Sequence, residues 1–183
     1  MITILEFVKE AHLLQLGKLK IETSPISLKK CWDQVLLDFE VNLRLKNIKA
    51  FETEWPKNDI VNGHEQILTS HVFSNLLSNA IKFSLPNSTI WFGAQVISES
   101  EISFYISDEG SGIPESKIKD LFELKKPTTS TGSALERGSG LGLPIVQFFL
   151  FHLGTNIQVY TRFNSKNEFF HGTLFEIRFK KVS

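Results

Sequence analysis

Residues 71–83 read HVFSNLLSNAIKF, and their spacing predicts an amphipathic helix with one polar face. Asn75 and Asn79 stand one helical turn apart, and Lys82 falls almost on the same line. The opposite side is apolar, with Val72, Phe73, Leu76, Leu77, Ala80 and Ile81. Amide oxygens suit Mg²⁺, and a lysine ammonium suits phosphate oxygens. Asparagine is a poor helix former, which counts against a merely solvated face, but this segment alone leaves both interpretations open.

The composition predicts one compact, water-soluble domain. Hydrophobic residues make up 42% of the 183 positions, which is enough apolar material for a core. Twenty basic residues balance twenty acidic ones, so there is no electrostatic case for binding nucleic acid or an anionic membrane. Cys31 is the only cysteine, which excludes an intrachain disulfide and a cysteine-built metal site. With no run of about 18 apolar residues and no signal peptide, we expect a cytoplasmic chain, whose parent protein could still be membrane-anchored.

Hydrophobic periodicity, read outward from residues 71–83, predicts alternating helices and strands. We expect helices at 4–16, 27–43, 64–83 and 143–153, a helical turn at 118–122, and strands at 20–23, 48–55, 89–97, 101–107, 156–163 and 172–180. Ser27 is the predicted N-cap of the second helix. The expected fold class is α+β. It is a two-layer sandwich in which three helices cover one face of a mixed, mostly antiparallel sheet.

A first glycine loop, DEGSGIP at residues 108–114, follows directly on a predicted strand. Glycine lets a backbone turn sharply and approach a ligand closely. Asp108, at the strand end, can accept a hydrogen bond from an amine donor such as the exocyclic amine of adenine. The same composition is also typical of an ordinary turn, so this loop alone is weak evidence.

A second glycine loop, GSGLGLP at residues 138–144, opens directly into a predicted helix. Glycines before a helix N-terminus leave backbone N–H groups that suit phosphate. No Gly-Lys-Ser/Thr follows, which excludes a Walker loop, and the loop does not follow the first strand of a βαβ unit, which excludes the dinucleotide fingerprint. Residues 109–142 are rich in Gly, Ser, Thr and Lys, and so long a loop in a compact domain is usually functional.

In this order, the motifs resemble the catalytic and ATP-binding domain of sensor histidine kinases, a HATPase-type domain of the GHKL superfamily. The resemblance covers the chain from about Ile26 onward. Its matching segments are Asn75 to Asn79 (the N box), Asp108 to Gly112 and Gly138 to Gly142 (the two glycine boxes), Leu121 to Glu123 (the start of the phenylalanine box) and Gly172 to Phe175 (the closing strand).

The resemblance implies a set of site residues. Asn75, Asn79 and Lys82 would be the catalytic group, with the two asparagines holding Mg²⁺ against the ATP phosphates. Phe83 would lie against the adenine, and Asp108 would bind its amine. The other nucleotide-binding positions would be Gly110, Gly112, Ile113, Gly138, Gly140, Leu141, Gly142 and Leu143. Residues from about 123 to 139 would form the ATP lid, with Lys125, Lys126 and Arg137 as candidate phosphate contacts.

The resemblance also favours a kinase over a hydrolase. ATP-hydrolysing members of the superfamily are similar in one respect: a glutamate stands one turn before the asparagine that binds magnesium. This chain has Asn75 at the position of that glutamate. Asparagine cannot act as a general base on water. Transfer of the γ-phosphoryl group to a histidine, for relay to a response-regulator aspartate, is therefore the predicted function. The alternatives are a hydrolase and a non-catalytic nucleotide-binding or interaction module that regulates a partner.

None of the five histidines fits the family's acceptor pattern of His followed by an acidic residue, Arg and Pro. We interpret His152 and His171 as structural, and we expect His71, on the Asn75/Asn79 line, to be a candidate contact for nucleotide or water. The acceptor would lie on a dimerisation domain, upstream or on another polypeptide. Residues 1–22 resemble the end of such a domain, and residues 23–183 would form the catalytic domain. The fragment would be mainly monomeric and inactive alone.

Overall fold

The structure is a computed structural model that describes residues 4–16, 18, 20–123, 140–162 and 171–182. The helices are α1 (Ile4–Gln15), α2 (Leu28–Asp38), α3 (Glu40–Leu45), α4 (Glu65–Ile67), α5 (Ser74–Phe83), α6 (Glu115–Ile118) and α7 (Gly142–His152). A π-helical segment, Leu68–Phe73, joins α4 to α5 without interruption. The strands are β1 (Ser24–Ser27), β2 (Lys49–Glu52), β3 (Ile60–Gly63), β4 (Thr89–Ser98), β5 (Glu101–Asp108), β6 (Ile157–Arg162) and β7 (Gly172–Lys180).

Five strands form one sheet in the order β2-β4-β5-β7-β6. Strand β2 runs parallel to β4 and every other neighbouring pair is antiparallel, which confirms the predicted mixed, mostly antiparallel sheet. Strands β1 and β3 form a separate antiparallel pair. The register of the main sheet sets Asp108, at the end of β5, opposite Ile90 on one side and Thr173 on the other.

The core lies between one face of this sheet and the helices α2, 65–83 and α7. Alternate residues of β5, including Phe104, point into it because side chains of a strand alternate between the two faces. The Trp32 ring of α2 lies 5.0 Å from the Phe104 ring, and Phe73 of the π-helical segment lies 4.5 Å from it. All three side chains are fully buried. This aromatic cluster fixes the asparagine-bearing helix against the sheet.

Helix α1 belongs to the same core. Phe7 is 3% exposed, and its ring lies 5.5 Å from Phe148 and 6.1 Å from Phe149 of α7, in edge-on geometry. The domain boundary near residue 22 stays a prediction. Within the described ranges, no helix is long and apolar enough to cross a membrane.

Two predicted helical segments differ from the structure. Helix 27–43 is broken at Phe39, whose ψ of 6° ends α2, and α3 resumes at Glu40. The helical turn predicted at 118–122 lies instead at Glu115–Ile118, directly after Pro114. Ser27 is confirmed as an N-cap, since its Oγ accepts a hydrogen bond from the Lys30 N–H at 3.2 Å.

The strand predicted at 20–23 is also displaced, and its partner β3 was not predicted. The chain pairs at Ser24–Ser27 because Asp59, just before β3, accepts hydrogen bonds from the Ser27 hydroxyl (2.8 Å) and the Lys29 N–H (2.6 Å). These bonds hold the segment before β3 against the start of α2. Pro25 is tolerated because β1 belongs to a two-stranded pair and needs no hydrogen bonds on its outer edge.

Candidate functional site

The two predicted metal-binding asparagines lie under the N-terminus of α7. The Asn75 amide nitrogen donates to the carbonyl of His71, one turn earlier, at 2.7 Å. This bond turns the Asn75 Oδ1 atom toward Gly142, where an added Cβ would lie 3.0 Å from that oxygen and 3.7 Å from the Asn79 Nδ2. The carbonyl comes from the π-helical segment, and such segments occur often at functional sites. The fold therefore brings the asparagine helix and the second glycine loop together, as the sequence predicted.

The N-terminus of α7 has the features of an anion site. Leu141 occupies the N-cap position without a side-chain cap bond, and the first turn carries no acidic residue. Gly140 has a φ of 73°, a conformation that favours glycine, and it turns the chain into the helix. The backbone N–H groups of Gly142 and Leu143 lie in the first turn, where a helix leaves its donors unsatisfied. Gly138, the rest of the lid and its three candidate cations lie outside the described residues.

Asp108 is buried at the end of β5, with 7% of its surface exposed. Its Oδ1 accepts the Gly110 N–H at 2.8 Å, and the Thr173 backbone N–H also bonds to the carboxylate. Burial raises the pKa of Asp108 to about 6, although these two N–H groups and the nearby His171 act in the opposite direction. At pH 7 the carboxylate is mainly ionised, so it can only accept hydrogen bonds.

Gly110 packs the first glycine loop against the C-terminus of α5. A Cβ at this position would lie 2.6 Å from the Phe83 carbonyl oxygen and 2.7 Å from Asp108 Oδ1, so only glycine fits. Gly112 turns the loop with a φ of 71°. The backbone of Phe83, a half-buried residue, therefore lies beside the loop that carries Asp108.

Lys82 and Lys46 converge on the end of α5. The Lys82 ammonium lies 4.9 Å from the centroid of the Phe83 ring. The Lys46 ammonium donates to the carbonyls of Ile81 (2.8 Å) and Lys82 (3.0 Å), which lie in the last turn of α5, where a helix offers its carbonyls no N–H partner of its own. Lys46 thus caps the helix and adds favourable charge there. No local pattern in the sequence signals this role, because Lys46 belongs to a distant turn.

Two further residues hold the first glycine loop from the far edge of the sheet. Thr161 of β6 accepts the Ile113 N–H at 2.8 Å and donates its hydroxyl to the Gly172 carbonyl at 2.9 Å. His171 Nδ1 lies 2.6 Å from the Gly110 carbonyl oxygen. Thr161 lies in the predicted strand 156–163, and His171 directly precedes the predicted strand 172–180, but neither prediction indicated a contact with this loop.

The side chain of His71, expected to be a candidate contact for nucleotide or water, packs instead between helices. The ring is buried and stacks on Phe149 of α7, with 4.4 Å between centroids and 17° between planes. Its Nε2 lies 3.6 Å from a carboxylate oxygen of Glu10 on α1. The ring therefore joins α1 and α7 to the asparagine helix, and it is the backbone carbonyl of His71 that reaches Asn75.

The donor atoms present fit a cation that needs few protein ligands. Over the described ranges, no group of three or more His, Cys, Asp or Glu side chains could hold a metal ion. Of the two half-buried asparagines, Asn75 presents its Oδ1 to Gly142 of α7, and Asn79 presents its amide nitrogen there. Mg²⁺ keeps several waters and shares its shell with phosphates, so such a neutral set is compatible with Mg²⁺ bound to a nucleotide.

The fold is that of an ATP-binding domain: an α+β sandwich in which the asparagine helix contacts the N-terminus of α7 along its side and the loop that carries Asp108 at its C-terminal end. The family described as histidine kinase-, DNA gyrase B- and HSP90-like ATPases matches residues 64–183, and the chain belongs to that family.

Known proteins similar to the chain are sensor histidine kinases. The circadian input-output histidine kinase CikA of Synechococcus elongatus is 29% identical over 148 residues, which are 80% of this chain and 19% of CikA. The mycobacterial sensor histidine kinase MprB has a TM-score of 0.70 at 25% identity, over 86% of this chain and 97% of the MprB chain. Histidine kinase ThkA, solved with the response regulator TrrA, has a TM-score of 0.71 at 21% identity, over 96% of this chain and 46% of that one. The chain spans between 19% and 44% of the curated relatives' lengths.

Proposed function

We propose that this chain is the ATP-binding catalytic domain of a two-component sensor histidine kinase. It transfers the γ-phosphoryl group of Mg·ATP to a histidine outside this chain, for relay to the aspartate of a response-regulator receiver domain. The observation that carries the proposal is the position of Asn75, one turn before Asn79 and against the N-terminus of α7. A carboxylate there would be a base for water, whereas an amide leaves the site to bind and orient phosphate.

The adenine side of the proposed site consists of Asp108 and Phe83. The ionised carboxylate of Asp108 accepts a hydrogen bond from the exocyclic amine of adenine. This bond discriminates adenine from a base that has a carbonyl in place of the amine. Its burial strengthens this hydrogen bond because the surrounding dielectric is low. Phe83 offers an aromatic face, and Gly110 and Gly112 let the backbone approach the base.

The phosphate side consists of the α7 N-terminus, Lys82 and the two asparagines. Backbone N–H groups at Gly142 and Leu143 donate to phosphate oxygens, and Lys82 adds a positive charge. Asn79 and Asn75 would hold Mg²⁺ through their amide oxygens, and the ion would supply positive charge that neutralises the phosphates. Catalysis of phosphoryl transfer is mostly positioning and electrostatic stabilisation, which these groups supply without a base of their own.

The acceptor is proposed to come from a dimerisation domain because the histidines here have other surroundings. His64 accepts a backbone N–H as a helix cap, and the rings of His71, His152 and His171 contact Glu10, the Phe148 carbonyl and the Gly110 carbonyl. His12 is exposed on α1, but the sequence after it lacks the acidic residue of an acceptor. We further propose that the domain works in the cytoplasm, where ATP is available, and that this chain alone is a monomer.

Binding is tested first, by calorimetric titration of the purified chain with Mg·ADP. Wild-type chain should bind saturably, and Asp108→Asn and Asn79→Ala should each weaken binding at least tenfold. Glu115→Gln, an exposed acid on α6, and Ser74→Ala, which removes only a hydroxyl bond to the Ser70 carbonyl, are the matched controls. A folded wild-type chain that does not bind would overturn the proposal and favour a nucleotide-free interaction module.

Transfer is tested by adding [γ-³²P]ATP and a histidine-bearing dimerisation domain from a related kinase, in trans. Acid-labile, base-stable label on that domain supports histidine phosphorylation. Steady ADP release without the acceptor would instead indicate a hydrolase. Binding with neither label nor release, across several acceptor domains, would indicate a nucleotide-binding module that regulates a partner.

A further inference from the structure

The backbone of Gly110 is held on both sides by hydrogen bonds. Its N–H donates to Asp108 Oδ1 at 2.8 Å, and its carbonyl lies 2.6 Å from His171 Nδ1. Because a carbonyl can only accept, the hydrogen must be on Nδ1. Glycine has the widest conformational freedom of any residue, so without these two bonds the loop could turn its N–H away from Asp108.

We propose that His171 is a positioning residue of the nucleotide site: by holding the Gly110 carbonyl, it fixes the loop that orients Asp108 toward the adenine amine. This role rests on the proposed function, and it extends that function to a residue outside the motifs of the sequence. His171 does not itself touch the nucleotide. It acts through Gly110, whose other bonding partner is the carboxylate.

The position of His171 is itself tightly determined. Gly172, the next residue, has a φ of 138° and leaves no space for a side chain against the Asp108 carbonyl oxygen. The Gly172 carbonyl accepts the Thr161 hydroxyl, whose oxygen in turn accepts the Ile113 N–H. The loop is therefore bonded to His171 directly at Gly110, and at Ile113 it is bonded to Thr161, which in turn bonds to Gly172.

The charge of His171 can also act on Asp108. An imidazolium at this position favours the ionised form of the Asp108 carboxylate, because the two groups then carry opposite charges. The ionisable groups that share an open cavity of about 880 Å³ with the ring are Asp108 and Glu109 at the end of β5 and Tyr160 of β6. The Glu109 carboxylate accepts the Thr89 N–H at 2.8 Å. Both the neutral Nδ1–H tautomer and the imidazolium keep the bond to Gly110, so the two forms of the ring differ in charge and not in this contact.

Two substitutions separate the hydrogen bond from the charge. In His171→Asn, the side-chain amide nitrogen can take the place of Nδ1 and donate to the Gly110 carbonyl without an ionisable group. In His171→Leu, both the bond and the charge are lost. A hydrogen bond of this kind contributes about 0.5–1.5 kcal/mol, so the leucine variant should bind Mg·ADP roughly three- to tenfold more weakly at pH 8. The asparagine variant should recover most of that affinity.

The dependence of Mg·ADP affinity on pH distinguishes the proposed role from a merely structural one, which would leave this dependence unchanged. Mg·ADP affinity is measured by calorimetry from pH 5.5 to 8.0 for the wild type and both variants. Wild-type affinity should decline on acidification as Asp108 takes up a proton. In His171→Asn the decline should begin at a higher pH, because no imidazolium favours the ionised carboxylate.

The outcomes are distinct. Wild-type affinity in the folded leucine variant, or an asparagine variant as weak as the leucine variant, overturns the positioning role while leaving the proposed function intact. An asparagine profile that coincides with the wild-type profile overturns the effect of charge. No binding by the wild type overturns the proposed function and this role with it. Circular dichroism establishes whether each variant folds. If the leucine variant does not fold, the affinity of the asparagine variant and its pH profile test the positioning role.

Discussion

Gly142 and Asn75 are so close that a Cβ at residue 142 would lie 3.0 Å from the Asn75 side-chain oxygen. One residue opens α7, at the edge of the second glycine loop, and the other stands on the helix proposed to bind metal. The helix end that we propose to bind phosphate and the proposed metal ligands are therefore in contact, and we expect a nucleotide bound to one of them to be oriented by both.

Gly142→Ala should weaken Mg·ADP binding without destabilising the fold. Alanine is the better helix former, and residue 142 is not among the glycines with positive φ, so the backbone accepts it. The new methyl group would instead displace the Asn75 amide from its position beside α7, which should weaken Mg·ADP binding roughly fivefold, equivalent to about 1 kcal/mol. Calorimetry and thermal unfolding measure the two effects, with Gln147→Ala on the exposed side of α7 as the control. Unchanged affinity would show that the asparagine has room to move.

Asn75→Ala should affect only the metal-dependent part of nucleotide binding. The substitution removes the amide that bonds to the His71 carbonyl and faces α7, but it touches no proposed adenine contact. ADP affinity in EDTA should therefore match the wild type, while the gain in affinity on adding Mg²⁺ should be reduced. Equal losses with and without Mg²⁺ would contradict a metal-binding role and indicate a general distortion of α5. Ser74→Ala serves as the control, because it lies on the same helix and loses one backbone-directed bond.

The sequence was sufficient for the parts of the site that depend on local pattern. The asparagine helix follows from its 3.6-residue period, and the two glycine loops follow from residues whose conformational freedom the turns require. Lys46, Thr161 and His171 could not be predicted, because each contacts the site from an element far away in the chain. Asp59 and β3 were missed for the same reason: the pairing depends on a carboxylate that caps a helix 30 residues earlier.

Asp108→Asn should change the pH dependence of the free energy of unfolding. The folded-state pKa of Asp108 is raised to about 6, above the value near 4 of an unfolded chain, so the ionised group destabilises the wild type above pH 6. The penalty, on the order of 2 kcal/mol, is relieved as the pH falls from 7 toward 4. Asparagine has no such penalty, so its stability relative to the wild type should be highest at pH 8 and decline toward pH 5. Urea unfolding at several pH values measures this difference.

Nucleotide binding should follow the opposite trend in the wild type. Protonation of Asp108 removes acceptor capacity, so Mg·ADP affinity should fall as the pH drops through about 6, even as the penalty on folding disappears. Asp108→Asn should bind weakly at every pH. A variant that loses stability in parallel with binding would instead indicate that the carboxylate is needed for the loop's structure.

Lys46→Met should lower both stability and nucleotide affinity, although Lys46 belongs to none of the motifs. Its ammonium donates to the carbonyls of Ile81 and Lys82, and methionine keeps the apolar stem but leaves both carbonyls without that donor. We expect a loss of about 1–2 kcal/mol in the free energy of unfolding. Fraying of the last turn of α5 would also displace Lys82 and Phe83, so Mg·ADP affinity should fall several-fold. Lys46→Arg should retain more of both properties, and Lys30→Met, at an exposed position of α2, should change neither. Full affinity in a destabilised Lys46→Met chain would show that the cap stabilises the helix without positioning the site.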